Sequence, residues 1–147
     1  MISFVGEYAR QLDERGRFIL PAKIRENLSG TVIITRSPID KCLILYTQEE
    51  WEIISAKVRT LPTVTDRNVA ALQRRLFGKA ASCEIDKQGR VPLTSELMEY
   101  AKMKKDIVLV GVNSKIEIWD SEMWKIADEE INDEEYLDGI SKFDISI

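Results

Sequence analysis

The stretch LDERGRFILPAKIRENL, residues 12–28, contains the motif Asp-x-x-Gly-Arg as DERGR, and the motif returns as DKQGR at residues 86–90. The second copy starts 73 residues after the first, and each copy follows an apolar residue and precedes a short apolar run. Other positions match at the same offset, such as Leu43 with Ile116 and Trp51 with Trp124. This pattern indicates duplication of a unit of about 50 residues.

Each copy of the motif has the composition of a tight turn. The aspartate can accept hydrogen bonds from backbone N–H groups within the turn, and the glycine takes a positive φ at no steric cost. The arginine can pair with the aspartate across the turn. Both copies are therefore predicted to close a β-hairpin, the first between strands at residues 8–12 and 18–20 and the second between strands at 83–85 and 91–93.

The pattern of each half reads strand, turn, strand, short helix, strand, turn, strand, helix. Pro21 opens the short helix of the first half, and Thr47 with Glu50 forms a capping box before the longer helix. A further helix is predicted between the halves, at residues 66–77. The fold class is therefore mainly β with short helices, an α+β fold. Because a unit of about 50 residues buries little surface, each half is expected to pack on the other or on a second chain.

Charge is distributed unevenly along the chain. The whole sequence has a net charge of −4, but residues 128–147 hold eight acidic residues and one basic residue, Lys142. Residues 1–127 therefore hold 20 basic and 17 acidic residues, a net charge of +3. The acidic segment is expected to be solvated, and the body of the protein could bind a polyanion although the whole chain is acidic.

The residue types present exclude several classes of function. There is no histidine, which excludes Ser-His-Asp and Cys-His nucleophile systems, and the two cysteines, Cys42 and Cys83, cannot fill a zinc shell. The sequence therefore predicts a protein that is not an enzyme and has no catalytic residue, metal site, cofactor or small-molecule substrate. No apolar run reaches the roughly 18 residues of a membrane span, and no signal peptide is recognisable, so we expect a cytoplasmic protein without a membrane partner.

Basic residues gather around the first copy of the motif, where residues 7–25 contain five bases and three acids. Arg15 lies at the tip of the predicted turn and Arg17 at its base, and guanidinium groups suit contacts with phosphates and guanine edges. The other bases of this segment that are candidates for DNA contact are Arg10, Lys23 and Arg25. The second copy has Lys87 and Gln88 at its tip. Two interpretations stay open: an Asp–Arg clasp that only stabilises the turn, and arginines that bind DNA.

The segments LDERGRFILPAKIRENL and LQRRLFGKAASCEIDKQGR, the latter at residues 72–90, resemble the MraZ family of bacterial regulators, encoded at the head of the division and cell-wall gene cluster. The resemblance implies two tandem AbrB-like swapped-hairpin β-barrel units in one pseudo-symmetric, oligomeric domain. The units would span residues 1–58 and 79–127, with a linker helix at 59–78 and an acidic C-terminal segment at 128–147. It further implies a nucleoid-associated, ring-forming transcriptional regulator that binds repeated DNA boxes in the promoter of its own operon.

Carried over by position, the resemblance implies DNA contact by Asp13, Arg15 and Arg17 in the first motif and by Asp86, Lys87 and Arg90 in the second. Met98 stands opposite Arg25 in the alignment of the halves, so the second half lacks that base, and we expect the first motif to bind DNA more strongly. The alternative interpretation is a non-catalytic oligomeric scaffold whose basic hairpin tips bind an acidic protein partner.

Overall fold

The computed structural model describes residues 3–146, which form eight strands and six α-helices followed by a 3₁₀ turn at Ser141–Phe143. The strands are β1 (Phe4–Gln11), β2 (Arg17–Ile19), β3 (Thr31–Arg36), β4 (Leu43–Thr47), β5 (Ala81–Glu84), β6 (Arg90–Pro92), β7 (Asp106–Asn113) and β8 (Ile116–Asp120). The helices are α1 (Ala22–Arg25), α2 (Gln48–Arg59), α3 (Arg67–Leu76), α4 (Ser95–Tyr100), α5 (Ser121–Glu129) and α6 (Asp133–Ile140). The mainly β, α+β fold class is confirmed.

The two halves of the chain exchange strands. Six strands form one antiparallel sheet in the order β1-β7-β8-β4-β3-β5, so β1 pairs with β7 of the second half and β5 pairs with β3 of the first. The remaining strands, β2 and β6, pair with each other in a two-stranded ribbon. Strands β1 and β5 occupy matching positions in the two halves. Each therefore pairs with the corresponding strand of the other half, β7 or β3.

The prediction that each motif closes a β-hairpin is wrong. The strands before and after DERGR lie in different sheets, because β1 pairs with β7 while β2 pairs with β6. Just outside the strands, the N–H of Leu12 donates to the oxygen of Lys105, and the N–H of Leu20 donates to the oxygen of Gly89. Both backbone partners come from the other half of the chain, so the motif is a loop between two sheets.

The predicted closed barrels are also wrong, because β1 and β5 occupy opposite edges of the six-stranded sheet and do not meet. The larger core lies between one face of this sheet and a layer made of the ribbon, α1 and α4. Phe18 and Val91 of the ribbon are 1% and 0% exposed and face this core. The opposite face is covered by α5, whose Trp124 packs on Trp119, and by α2, whose Trp51 contacts Tyr46.

Local signals fix where the helices begin. The Thr47 hydroxyl accepts from the N–H of Glu50 at the start of α2, as the capping box predicts, and the Asp66 carboxylate accepts from two N–H groups of α3. The short helix that Pro21 opens was predicted to end near Gly30, but α1 ends at Arg25. In the acidic segment, α6 is a helix without buried residues, which agrees with the expected solvated segment.

Candidate nucleic-acid interface

The DERGR motif forms a loop that is closed by its own aspartate. Asp13 Oδ1 accepts hydrogen bonds from the backbone N–H groups of Arg15 and Arg17, both at 2.9 Å. Asp13 Oδ2 accepts from Arg17 Nε at 2.8 Å, and Gly16 takes a φ of 72°. One carboxylate therefore shapes the loop, and it also holds the Arg17 side chain by a single guanidinium nitrogen.

The DKQGR motif repeats this geometry bond for bond. Asp86 Oδ1 accepts from the N–H groups of Gln88 at 2.9 Å and Arg90 at 2.8 Å, and Oδ2 accepts from Arg90 Nε at 2.6 Å. Gly89 has a φ of 81°. Because the contacts are identical although the tip residues differ, the Asp, Gly and Arg of the motif determine the loop, and the tip residues are free to vary.

The hydrogen bonds of the clasp lower the pKa of both aspartates below 3.8, their ordinary value. The backbone N–H of Arg17 contributes most to the lowering at Asp13, and the backbone N–H of Arg90 contributes most at Asp86. The arginine side chains add a smaller effect in the same direction. Both carboxylates are therefore ionised at neutral pH, and the charge of each is partly neutralised by its arginine.

Each loop is covered by a residue of the other half. The Met98 side chain lies over Gly16, since a Cβ built there would come within 2.8 Å of the methionine Cε. At the second loop, a Cβ on Gly89 would meet Arg25 Nη1 at 3.0 Å, and Arg25 Nη2 donates to the oxygen of Lys87 at 2.6 Å. Arg25 and Met98 match in the duplication, so a cation covers one loop and a thioether covers the other.

The ribbon connects the two loops and presents an outer face. Arg17 pairs with Pro92, and Ile19 pairs with Arg90, so these four side chains share the face opposite to Phe18 and Val91. Ile19 is 51% exposed. Arg17 and Arg90 are diagonal neighbours across the ribbon, and such positions lie about 7–8 Å apart. The Nε of Arg10 donates to the Ile19 oxygen at 3.0 Å, which adds a third guanidinium beside this face.

Comparison with known proteins identifies the family. A family model described as "MraZ protein, putative antitoxin-like" matches residues 3–74 and 76–139, and each range contains one motif. The transcriptional regulator MraZ of Carboxydothermus hydrogenoformans is 45% identical over 121 residues, or 82% of this chain and 83% of that protein. The same-named protein of Acetivibrio thermocellus is 43% identical over 122 residues, or 83% of this chain and 84% of that protein. The chain belongs to the MraZ family.

Within this MraZ fold, the residues predicted to bind DNA do not form a single patch around the first motif. Arg15 is exposed at the tip of the first loop, and Lys87 is exposed at the tip of the second. Arg25, which is close to the first motif in sequence, lies at the second loop. Lys23 is exposed on α1. The second loop is therefore contacted by Arg25, although the second half itself has Met98 at the matching position.

Two lysines near the first loop were not among the residues predicted for the MraZ interface. A groove of about 430 Å³ runs beside that loop between Glu14 and Met98, and Lys104 and Lys105 also line it. Lys104 pairs with Glu122 at 2.9 Å, and this contact raises the lysine pKa, whereas Lys105 is exposed. The sequence contains the run MKK, but the run belongs to the second half, so only the strand exchange brings it to the first loop.

Two other kinds of feature, a metal-binding cluster and a membrane-spanning helix, are absent from the part of the chain that the structure describes. Among residues 3–146, no group of three or more His, Cys, Asp and Glu side chains is arranged to hold a metal ion. None of the described helices has the length and apolar character needed to cross a membrane. Burial raises the pKa of the Cys42 thiol to about 12 and also raises that of Cys83, which makes both thiols poor nucleophiles.

Proposed function

We propose that the chain is a DNA-binding transcriptional regulator and that the ribbon with its two flanking loops is the surface that binds DNA. The observation that carries the proposal is the placement of Arg17 and Arg90 on the outer face of one two-stranded ribbon, each held by an aspartate at 2.8 Å or less. The major groove of B-DNA admits a two-stranded β-ribbon. The names of the relatives, transcriptional regulator MraZ, support the same role.

The proposed roles of the individual residues follow from their exposure and from which of their atoms are already hydrogen-bonded. Arg17 and Arg90 each have Nε committed to a carboxylate, so their terminal nitrogens remain available for phosphates or guanine edges. Arg15 and Lys87 are exposed and suit phosphate contacts. Asp13 and Asp86 orient their arginines and would repel a phosphate, so in this proposal they position the contacts and do not bind DNA.

We further propose that several copies assemble into a ring and bind repeated boxes in the promoter of the chain's own operon, that of division and cell-wall genes. A net charge of +3 on residues 1–127 gives one copy little affinity for a polyanion. Linked copies sum their contacts over adjacent boxes, because the first contact raises the effective concentration for the next. Such a protein would work in the cytoplasm, on the nucleoid.

A gel-shift titration against the DNA upstream of the chain's own gene tests this function, with scrambled DNA of equal length and composition as the control. We expect tighter binding to the upstream DNA, an affinity that falls steeply as salt rises, and loss of the preference when the repeats are scrambled. Equal affinity for both duplexes would contradict sequence-specific regulation. Absence of binding to either duplex would favour the alternative, a scaffold that binds an acidic protein.

A further inference from the structure

A second basic site lies away from the ribbon, where β3 ends. A cavity of about 280 Å³ opens there between the end of β3, the turn that follows it, α3 and the Tyr100 side chain of α4. Asn68, Leu72 and Arg75 line it from α3, at positions that share one face of a helix. None of these residues belongs to the proposed DNA-binding surface.

Positive charge at this cavity comes from Arg36 and Arg75, which both line it. The Arg36 guanidinium lies 4.4 Å from the centre of the Tyr100 ring, and Lys41 Nζ lies 4.5 Å from it. Within residues 3–146, neither these two cations nor Arg75 forms an ion pair. The Arg36 charge acts on Glu96, but that carboxylate is bonded to Lys79 at 2.8 Å. Two arginines, Arg36 and Arg75, therefore line the cavity without an ion-pair partner among residues 3–146, and Lys41 lies nearby against the Tyr100 ring.

One nitrogen of Arg36 also lacks a hydrogen-bond acceptor. Its Nε is the one buried side-chain nitrogen or oxygen without a partner in the described part of the chain. Buried polar atoms are nearly always paired, and an unpaired guanidinium N–H is costly because it has lost its water. The Tyr100 hydroxyl is not its acceptor and instead donates to the oxygens of Ser37 and Asp40 at 3.0 and 3.3 Å. Because Arg36 also lines the cavity, an acceptor bound there could reach the rest of its guanidinium group.

We propose that this cavity binds a small organic oxyanion, a phosphate or carboxylate group carried on a compact, partly apolar body. Two guanidinium groups can hold the oxygens, the Asn68 amide can donate to them, and Leu72 and Pro38 provide apolar walls. The volume lies at the small end of ligand pockets, which excludes large ligands. The inference does not depend on DNA binding by the ribbon.

Calorimetric titration of the full chain with phenyl phosphate tests the proposal, with phenol as the neutral counterpart and inorganic phosphate as the bare anion. We expect saturable binding of phenyl phosphate at one site per chain, weaker binding of inorganic phosphate and none of phenol. Replacing Arg75 by glutamine removes one charged donor, so Arg75→Gln is expected to weaken binding roughly tenfold to a hundredfold. Arg36→Lys keeps the charge but removes the planar guanidinium fork, and it is expected to weaken binding as well.

The matched control is Arg74→Gln, because Arg74 lies on the same helix but lines a different groove, with Arg67 and Ala70. Its affinity for phenyl phosphate should equal that of the unmodified chain. Absence of saturable binding overturns the proposal, and so does equal weakening by Arg74→Gln. Unchanged phenyl phosphate affinity in Arg75→Gln also overturns it. In that case, weaker promoter binding would assign the cations to DNA phosphates, and a changed assembly mass would assign them to a subunit contact.

Discussion

The guanidinium of Arg25 donates a hydrogen bond of 2.6 Å to the backbone oxygen of Lys87, 62 residues further along the chain. Arg25 follows the first motif in sequence, yet it supports the loop of the second. The matching residue of the second half, Met98, covers the first loop through apolar contact. The two loops therefore share one backbone geometry and differ in what holds them in place.

The first prediction concerns this support. Arg25→Met gives both loops the same covering residue, and we expect faster amide hydrogen exchange at residues 86–90, with loop 13–17 unchanged as an internal control. The global free energy of unfolding should fall by about 1 kcal/mol or less, since the bond is at the surface. Equal acceleration at both loops would show that Arg25 acts on the whole fold and not on the second loop.

A second prediction concerns the tip of the first loop. Arg15 is exposed, so Arg15→Ala should leave stability unchanged while it weakens promoter binding. The slope of log affinity against log salt should become shallower by about one for each loop that binds DNA. Arg67→Ala, an exposed arginine of α3, is the control and should leave both quantities unchanged. Equal effects of the two substitutions would point to net charge, not to a contact made by Arg15.

The glycines of the motifs provide a third prediction. Gly16→Ala and Gly89→Ala each force a residue with a Cβ to adopt a positive φ, where L-residues are disfavoured by about 1–2 kcal/mol. Each should lower the free energy of unfolding by at least that amount in urea denaturation. Gly30→Ala is the control, because a Cβ there meets nothing within 4 Å, and its effect should stay within about 0.5 kcal/mol.

The fourth prediction is a dependence of stability on pH. The clasp lowers the pKa of Asp13 and Asp86 in the folded state below the value of about 3.9 in the unfolded chain. Their stabilisation is therefore complete above about pH 4 and is lost as the pH falls through the lower, folded-state pKa. The double variant Asp13→Asn, Asp86→Asn should be less stable at pH 7 and should lose less stability between pH 4 and pH 2.

Urea denaturation at several pH values checks this fourth prediction, and Glu14→Gln is its control. Glu14 lies in the same loop, and in the described structure its side chain accepts no hydrogen bond. The control should keep the steep acid limb of the unmodified protein. If the double variant keeps that limb too, other carboxylates cause it, and the two clasps do not.

Several features could be predicted from the sequence because they depend on contacts between residues that are close together in the chain. The Asp–Arg clasp was expected because its bonds span four residues or fewer, and its atoms meet whenever the loop forms. The helix that begins after Thr47 was readable for the same reason, since the capping bond joins residues three apart. The packing of Trp51 and Trp124 also followed, because large aromatic side chains bury their surface in almost any fold.

The pairing of distant strands could not be predicted from the sequence, and the hairpin and closed-barrel predictions were wrong because they depend on it. Strands β3 and β7 have the same apolar character because the halves are related, so the pattern alone cannot say which of them β1 joins. The tertiary structure decides this through the register of whole strands and the core that they share. For that reason Arg25 lies at the second loop, residues 86–90, and Lys105 lies beside the first, residues 13–17.

The sequence by itself therefore determined two identical loops and the arginine that each one holds. Only the tertiary structure decided that both arginines share one face of a single ribbon, because β2 and β6 are too short to be stable apart and pair across the duplication. The same exchange of strands placed Arg36 and Arg75 around one cavity, although 39 residues separate them in the chain. Neither arrangement follows from local bonds.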